Sequence, residues 1–184
     1  MKNGNAIGII ETSSIAKGFE IADTVLKTAN VKIILNRTIC PGKYMVLIGG
    51  EVDAVSASTD AGLAAGAHTI VDHFVIPNVH PAVFPALSGV AHLPKLEALG
   101  VIETFSVASV IEAADAAVKA TPVQLITINL AMAIGGKGWV SLTGDVASVT
   151  EAVEIGSRVV QRRGLLVETV VIPRPRPEII QEFL

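Results

Sequence analysis

The residues in this sequence best suited to chemistry are Cys40-Pro41-Gly42-Lys43. Cys40 is the sole cysteine among 184 residues, so no disulfide can form within one chain. It stands where an apolar run, Val31–Ile39, breaks into Pro-Gly, a pair that favours a tight turn. One thiol is too few ligands for an ordinary metal site, and a lone cysteine often serves as a small apolar filler. The surroundings point elsewhere. Glycine at 42 lets the backbone approach closely, the N–H groups of Gly42 and Lys43 can face a thiolate, and the Lys43 ammonium is adjacent. Cys-Pro is also the pair that ends the bacterial ferredoxin cluster motif. On these residues alone, a buried filler, a nucleophile and one part of a larger site all stay open.

The other candidates for chemistry are weaker. Ile134-Gly135-Gly136-Lys137-Gly138 resembles a phosphate cradle, but the first P-loop glycine is missing and Gly138 stands where Ser or Thr is required. It reads as a turn between strands. His68, His73, His80 and His92 show no metal-ligand spacing and read as surface or loop residues. Glu11 and Glu103 occupy matching places and could pair as acid and base. Their recurrence favours a shared structural task, such as bonding to backbone at a helix start. No nucleophile, base and orienting group come together, so the chain is not expected to be an enzyme.

The composition is 51% hydrophobic, 4% aromatic and 17% charged, a chain whose cores are built from Ala, Val and Ile. Net charge is −3 with no long run of one sign, which argues against nucleic acid or a membrane surface as partner. Arg162-Arg163, Arg174 and Arg176 read as a solvated basic face. No stretch approaches the roughly 18–20 continuous apolar residues of a membrane helix, and the N-terminus lacks a signal-peptide layout. A single cysteine agrees with a reducing cytoplasm.

The elements that must carry the Cys40 turn emerge when the chain is compared with itself. AIGIIETSSIAKGFEIADTVLKTANV, from Ala6, aligns with ALGVIETFSVASVIEAADAAVKATPV, from Ala98. Glu11 then matches Glu103, Asp23 matches Asp115 and Lys27 matches Lys119. MVLIGGEV from Met45 matches WVSLTGDV, and VIPNVHP from Val75 matches VIPRPRP, at slightly wider spacings, so copy two has longer loops. Each copy is long enough to hold its own core, so this is a duplicated domain rather than a solenoid.

Each copy reads as strand (Ala6–Glu11; Ala98–Glu103), helix (Ile15–Ala29; Val107–Ala120), strand (Val31–Ile39; Val123–Ala131) and strand (Tyr44–Gly49; Trp139–Leu142). A second helix (Val52–Ala65; Val146–Gln161) and a last strand (Ile70–Ile76; Leu165–Ile172) follow. The order β-α-β-β-α-β is that of a ferredoxin-like α/β (α+β) sandwich. The expected boundaries are a first domain at 1–81, a linker at 82–97 and a second domain at 98–184. Three prolines and a glycine mark the stretch 81–98, while Phe84 and Leu87 suggest that it packs on a surface. The copies differ most in the loop after the second strand, CPGK against MAIGGKG, and such divergence is where specialised function is expected.

AIGIIETSS…ADTVLKTANV and ALGVIETFS…ADAAVKATPV resemble the opening of the bacterial microcompartment (BMC) shell domain, and VIPRPRP is similar to its closing segment. The match runs through nearly the whole chain, twice, without circular permutation. With NRTICPGKY in one copy and AIGGKG in the other, it is most similar to the tandem-domain shell proteins of propanediol-utilisation microcompartments. The resemblance implies a homotrimer shaped as a pseudohexamer. Such a tile packs edge to edge with other shell proteins around encapsulated enzymes, a redox enzyme among the possible partners. It also implies that the loop after the second strand lines a central pore. Cys40, with Pro41, Gly42 and Lys43, would then hold one 4Fe-4S cluster per trimer, one cysteine per chain, for electron transfer or cluster exchange. The tile-edge positions of the family fall on Lys27, Lys119 and Arg174. Asn78 replaces the arginine in copy one, and Pro122 replaces the asparagine kept as Asn30, so the edges are not equivalent. A shell trimer with a metabolite pore and no cluster is the alternative, and a small-molecule-binding regulatory trimer a third.

Overall fold

In the computed structural model, which describes residues 6–89, 96–130 and 135–179, the chain runs twice through one element order. Copy one comprises β1 (Ala6–Thr12), α1 (Ile15–Thr28), β2 (Lys32–Ile39), β3 (Lys43–Gly50), α2 (Val52–Gly66) and β4 (Ile70–Ile76). A short helix follows, α3 (Val83–Ser88). Copy two comprises β5 (Ala98–Thr104), α4 (Val107–Ala120), β6 (Gln124–Leu130), β7 (Gly138–Gly144), α5 (Val146–Gln161) and β8 (Leu166–Pro173). The sheets have the antiparallel orders β2-β3-β1-β4 and β6-β7-β5-β8, the ferredoxin-like arrangement expected from the sequence.

Local chemistry starts the helices. The Ser14 hydroxyl accepts from the Lys17 N–H at the head of α1, and the Ser106 hydroxyl accepts from Ala108 and Ser109 N–H at the head of α4. Asp145 caps α5, and the hydrogen bonds that Ser148 donates hold its carboxyl below the ordinary carboxylate range. Helical spacing then turns one face of α1 inward, where Ile21, Ala22 and Val25 meet Ala6, Ile10, Val46 and Ile48 of the sheet and Val55 of α2.

One contact is inverted between the copies. A Cβ on Gly18 would stand 2.3 Å from the Tyr44 ring, so α1 lies directly on the aromatic at the start of β3. In copy two the helix carries Val110 and the strand carries Gly138, where a Cβ would meet Val110 at 2.7 Å. Small against large becomes large against small, and the layer spacing is kept.

By its contacts the chain divides into Met1–Val79 with Met132–Gly136, and His80–Ala131 with Lys137–Leu184. Within the stretch expected as a linker, Val83–Ser88 form α3. α3 packs on β6 and α4, burying Val83 and Ala86, whereas Phe84 and Leu87 are half-buried. Residues 90–95 of that stretch, 131–134 of the copy-two loop and the chain ends lie outside the described residues.

Candidate functional site

β2 and β3 pair as a hairpin whose last rung is Ile39 opposite Lys43. Cys40, Pro41 and Gly42 therefore form the turn itself. Cys40 is half-buried and outside any disulfide. The Cys40–Pro41 peptide is cis, and Gly42 has a φ of 71° with open space around it.

Lys43 does not serve the thiol as its adjacency suggested. Its Nζ donates to Oε1 of Glu11 on β1. The side chain of Glu11 is 0% exposed and that of Lys43 17%. The match in copy two repeats the pair: Lys137 Nζ donates to Glu103 Oε1 at 2.9 Å, with side-chain exposures of 39% and 34%. So the two recurring glutamates tie the loop after the second strand to the central strand of each sheet. The hydroxyls of Ser14 and Ser106 cap the helix starts. The sequence reading missed this arrangement, although a Gly-Lys pair stands at the end of both loops and offered the signal.

The remaining candidates separate by position. Gly135 and Gly136 adopt φ of 67° and 85°, the left-handed region that glycine enters in tight turns. His68 and His73 are exposed; His80 is half-buried, its N–H donating to Asp115 Oδ1 and its Nδ1 accepting from Ala82 N–H. His92 lies outside the described residues. Among the described residues, no three His, Cys, Asp or Glu side chains come together as a metal site. No described helix is long and apolar enough to cross a membrane.

Lys27 and Lys119 sit in the last turns of α1 and α4, where a cation suits the helix dipole. Each pairs one turn back, with Asp23 at 2.5 Å and Asp115 at 2.6 Å. Arg174 is exposed, has a φ of 48°, and its N–H donates to Glu97 carbonyl oxygen. Asn78, its match, has a φ of 73°, so both copies turn in the left-handed region after the last strand, which asparagine tolerates well.

The BMC domain model matches residues 6–79 and again 98–175. The chain belongs to the BMC-domain family, as a bacterial microcompartment shell protein carrying the domain twice. It is 44% identical to the bacterial microcompartment shell protein PduT of Citrobacter freundii over 97% of each chain. A crystal structure of a microcompartment protein from Desulfitobacterium hafniense superposes with a TM-score of 0.88 at 49% identity, covering 95% of this chain and 97% of that one. The microcompartment shell protein EutM of Salmonella typhimurium is 41% identical over 88 residues, 48% of this chain but 90% of its own length. That relative therefore spans about one copy.

Proposed function

We propose that three copies of this chain close into a pseudohexagonal tile of a microcompartment shell in the cytoplasm. At its axis three Cys40 thiolates hold one four-iron four-sulfur cluster. The tile is structural rather than enzymatic. It packs edge to edge with other shell proteins through Lys27, Lys119 and Arg174.

The observation that supports ring closure is an unequal burial of matching residues. On α1, Ile15, Phe19 and Leu26 form one face and are 41%, 62% and 48% exposed. Their matches on α4 are Val107, Ile111 and Val118, at 0%, 0% and 8%. On the sheet face of the first copy that carries them, Ile7, Ile9, Met45 and Leu47 are completely buried; of their matches in the second copy, Leu99 and Ser141 are also buried, while Val101 and Trp139 are half-buried. An exposed apolar stripe on the first copy and half-buried apolar residues on the sheet of the second suit a heterologous contact between chains, which can close a ring.

The Cys40 turn fits one ligand of a shared cluster. It offers a soft thiolate donor, half-buried and outside any disulfide, on the loop where the copies diverge. Three chains supply three cysteines, one fewer than a cubane commonly takes, so one iron keeps a non-cysteine ligand. The bound group would supply one-electron transfer across the shell, or exchange of the cluster with a partner such as an encapsulated redox enzyme.

Protein reconstituted anaerobically with iron and sulfide should be brown and hold about 1.3 iron per chain. Cys40→Ser should remove iron and colour while the oligomer keeps its size in sedimentation. Iron-free wild type after reconstitution, or equal iron in Cys40→Ser, would overturn the cluster and leave a tile with a small-molecule pore.

A further inference from the structure

Resting on that axial reading, we propose that Gly136, from the copy-two loop, is a positioning residue for Cys40. Gly136 groups with the first unit, within Met1–Val79 and Met132–Gly136. A Cβ built on it would stand 2.6 Å from the Cys40 carbonyl oxygen, 3.1 Å from Pro41 Cδ and 3.2 Å from Lys43 Cε. Three of the four residues of the turn thus meet this one glycine. The nearest atom belongs to the backbone, so it cannot swing aside as a side chain would. Gly136 also has a φ of 85°, which disfavours any residue with a Cβ.

Lys43 is consequently held at two points, its Nζ on buried Glu11 and its Cε beside Gly136. The Cys40 turn is braced from β1 and from the copy-two loop together. Copy one also has glycine at the matching position, Gly42, but a Cβ there would meet nothing within 4 Å. What differs is the contact: Gly136 lies against the Cys40 turn, so the direction of the thiol depends on that glycine.

Gly135 supplies the control. It has a similar positive φ of 67° but nothing within 4 Å of its would-be Cβ. Gly135→Ala therefore carries the backbone strain without the contact. Gly136→Asn keeps the contact but lowers the strain, because asparagine tolerates the left-handed region, and it stands in if Gly136→Ala fails to fold. Two readouts are compared in full-length protein: iron retained after anaerobic reconstitution, and the alkylation rate of Cys40 in iron-free protein. Gly136→Ala and Gly136→Asn should each weaken iron binding about tenfold, as loss of an outer support does, and alkylate faster than wild type. Gly135→Ala should match wild type in both. Should the two Gly136 variants match Gly135→Ala in both readouts, Gly136 is not a positioning residue. Wild type that takes up no iron defeats the cluster alone, and the alkylation rates then decide for or against Gly136.

Discussion

Glu11–Lys43 and Glu103–Lys137 are the same interaction in two settings, and burial separates their energetic weight. A fully buried carboxylate that loses its cation cannot be re-solvated, whereas a part-exposed one can. Lys43→Met should therefore lower unfolding free energy by about 3 kcal/mol. Lys137→Met should cost at most about 1 kcal/mol. Urea denaturation of the two variants gives the comparison, and equal losses would show that burial does not set the difference. This pairing also marks how far residue-level reading of the site could go. Cys40 stood out because the loops diverge, and the glutamates because they recur. Their partner was not evident, since Glu11 and Lys43 lie 32 residues apart and meet only through strand register. Adjacency in sequence gave Lys43 to the thiol; the pairing of Thr12 with Tyr44 and Glu11 with Met45 gives it to the carboxylate. Gly136 was hidden for the same reason, since its contact with the Cys40 carbonyl follows from tertiary placement alone.

The elements were legible because duplication shows each pattern twice, so a β-α-β-β-α-β order repeats with independent residues. α3 escaped that logic, lying beyond the aligned VIPNVHP and VIPRPRP segments and having three prolines in its neighbourhood. Pro85 is nevertheless the third residue of α3, where a helical N–H has no intrahelical acceptor and its loss does no harm. Gly89 closes the helix at a φ of 67°, its N–H donating to Pro85 carbonyl oxygen. The inverted contact between α1 and β3 yields a test of packing at this scale. Gly18→Val forces side-chain atoms into the Tyr44 ring and should cost about 1–3 kcal/mol. Adding Tyr44→Gly transplants the Val110–Gly138 pairing and should recover part of that loss in thermal melts. No recovery would mean that the two layers are not interchangeable. The α5 cap has a pH signature. Hydrogen bonds from Ser148 lower the Asp145 pKa in the folded chain, so their stabilisation is present above the unfolded value of 3.8 and fades as pH falls through the lower folded value. Ser148→Ala should accordingly lower the melting temperature at neutral pH, with the gap to wild type closing in strong acid. A gap unchanged in acid would show that the effect does not come from the Asp145 carboxylate.

At the scale of the whole molecule, two copies of one domain have been given unequal surfaces. If the copies were interchangeable, Phe19 and Ile111 would share one environment; they stand at 62% and 0% exposure. In the proposed ring a neighbouring chain covers this stripe. Pairing α1 with α1 of a second chain would bury the stripe but leave Val101 and Trp139 on the second sheet half-exposed. Seating α1 against that sheet face of the next chain covers both, and repeating the step closes a ring only when the rotation returns to the first chain. A charge on each matching helix position separates assembly from folding. Phe19→Glu places a carboxylate on a surface that is exposed in the single chain, so each chain should fold normally by circular dichroism yet sediment as a monomer. Ile111→Glu buries the same carboxylate without a partner and should cost several kcal/mol, leaving little folded protein. A Phe19→Glu protein that still sediments at wild-type size would remove α1 from the seam, and with it the geometric basis for bringing three Cys40 turns to one axis.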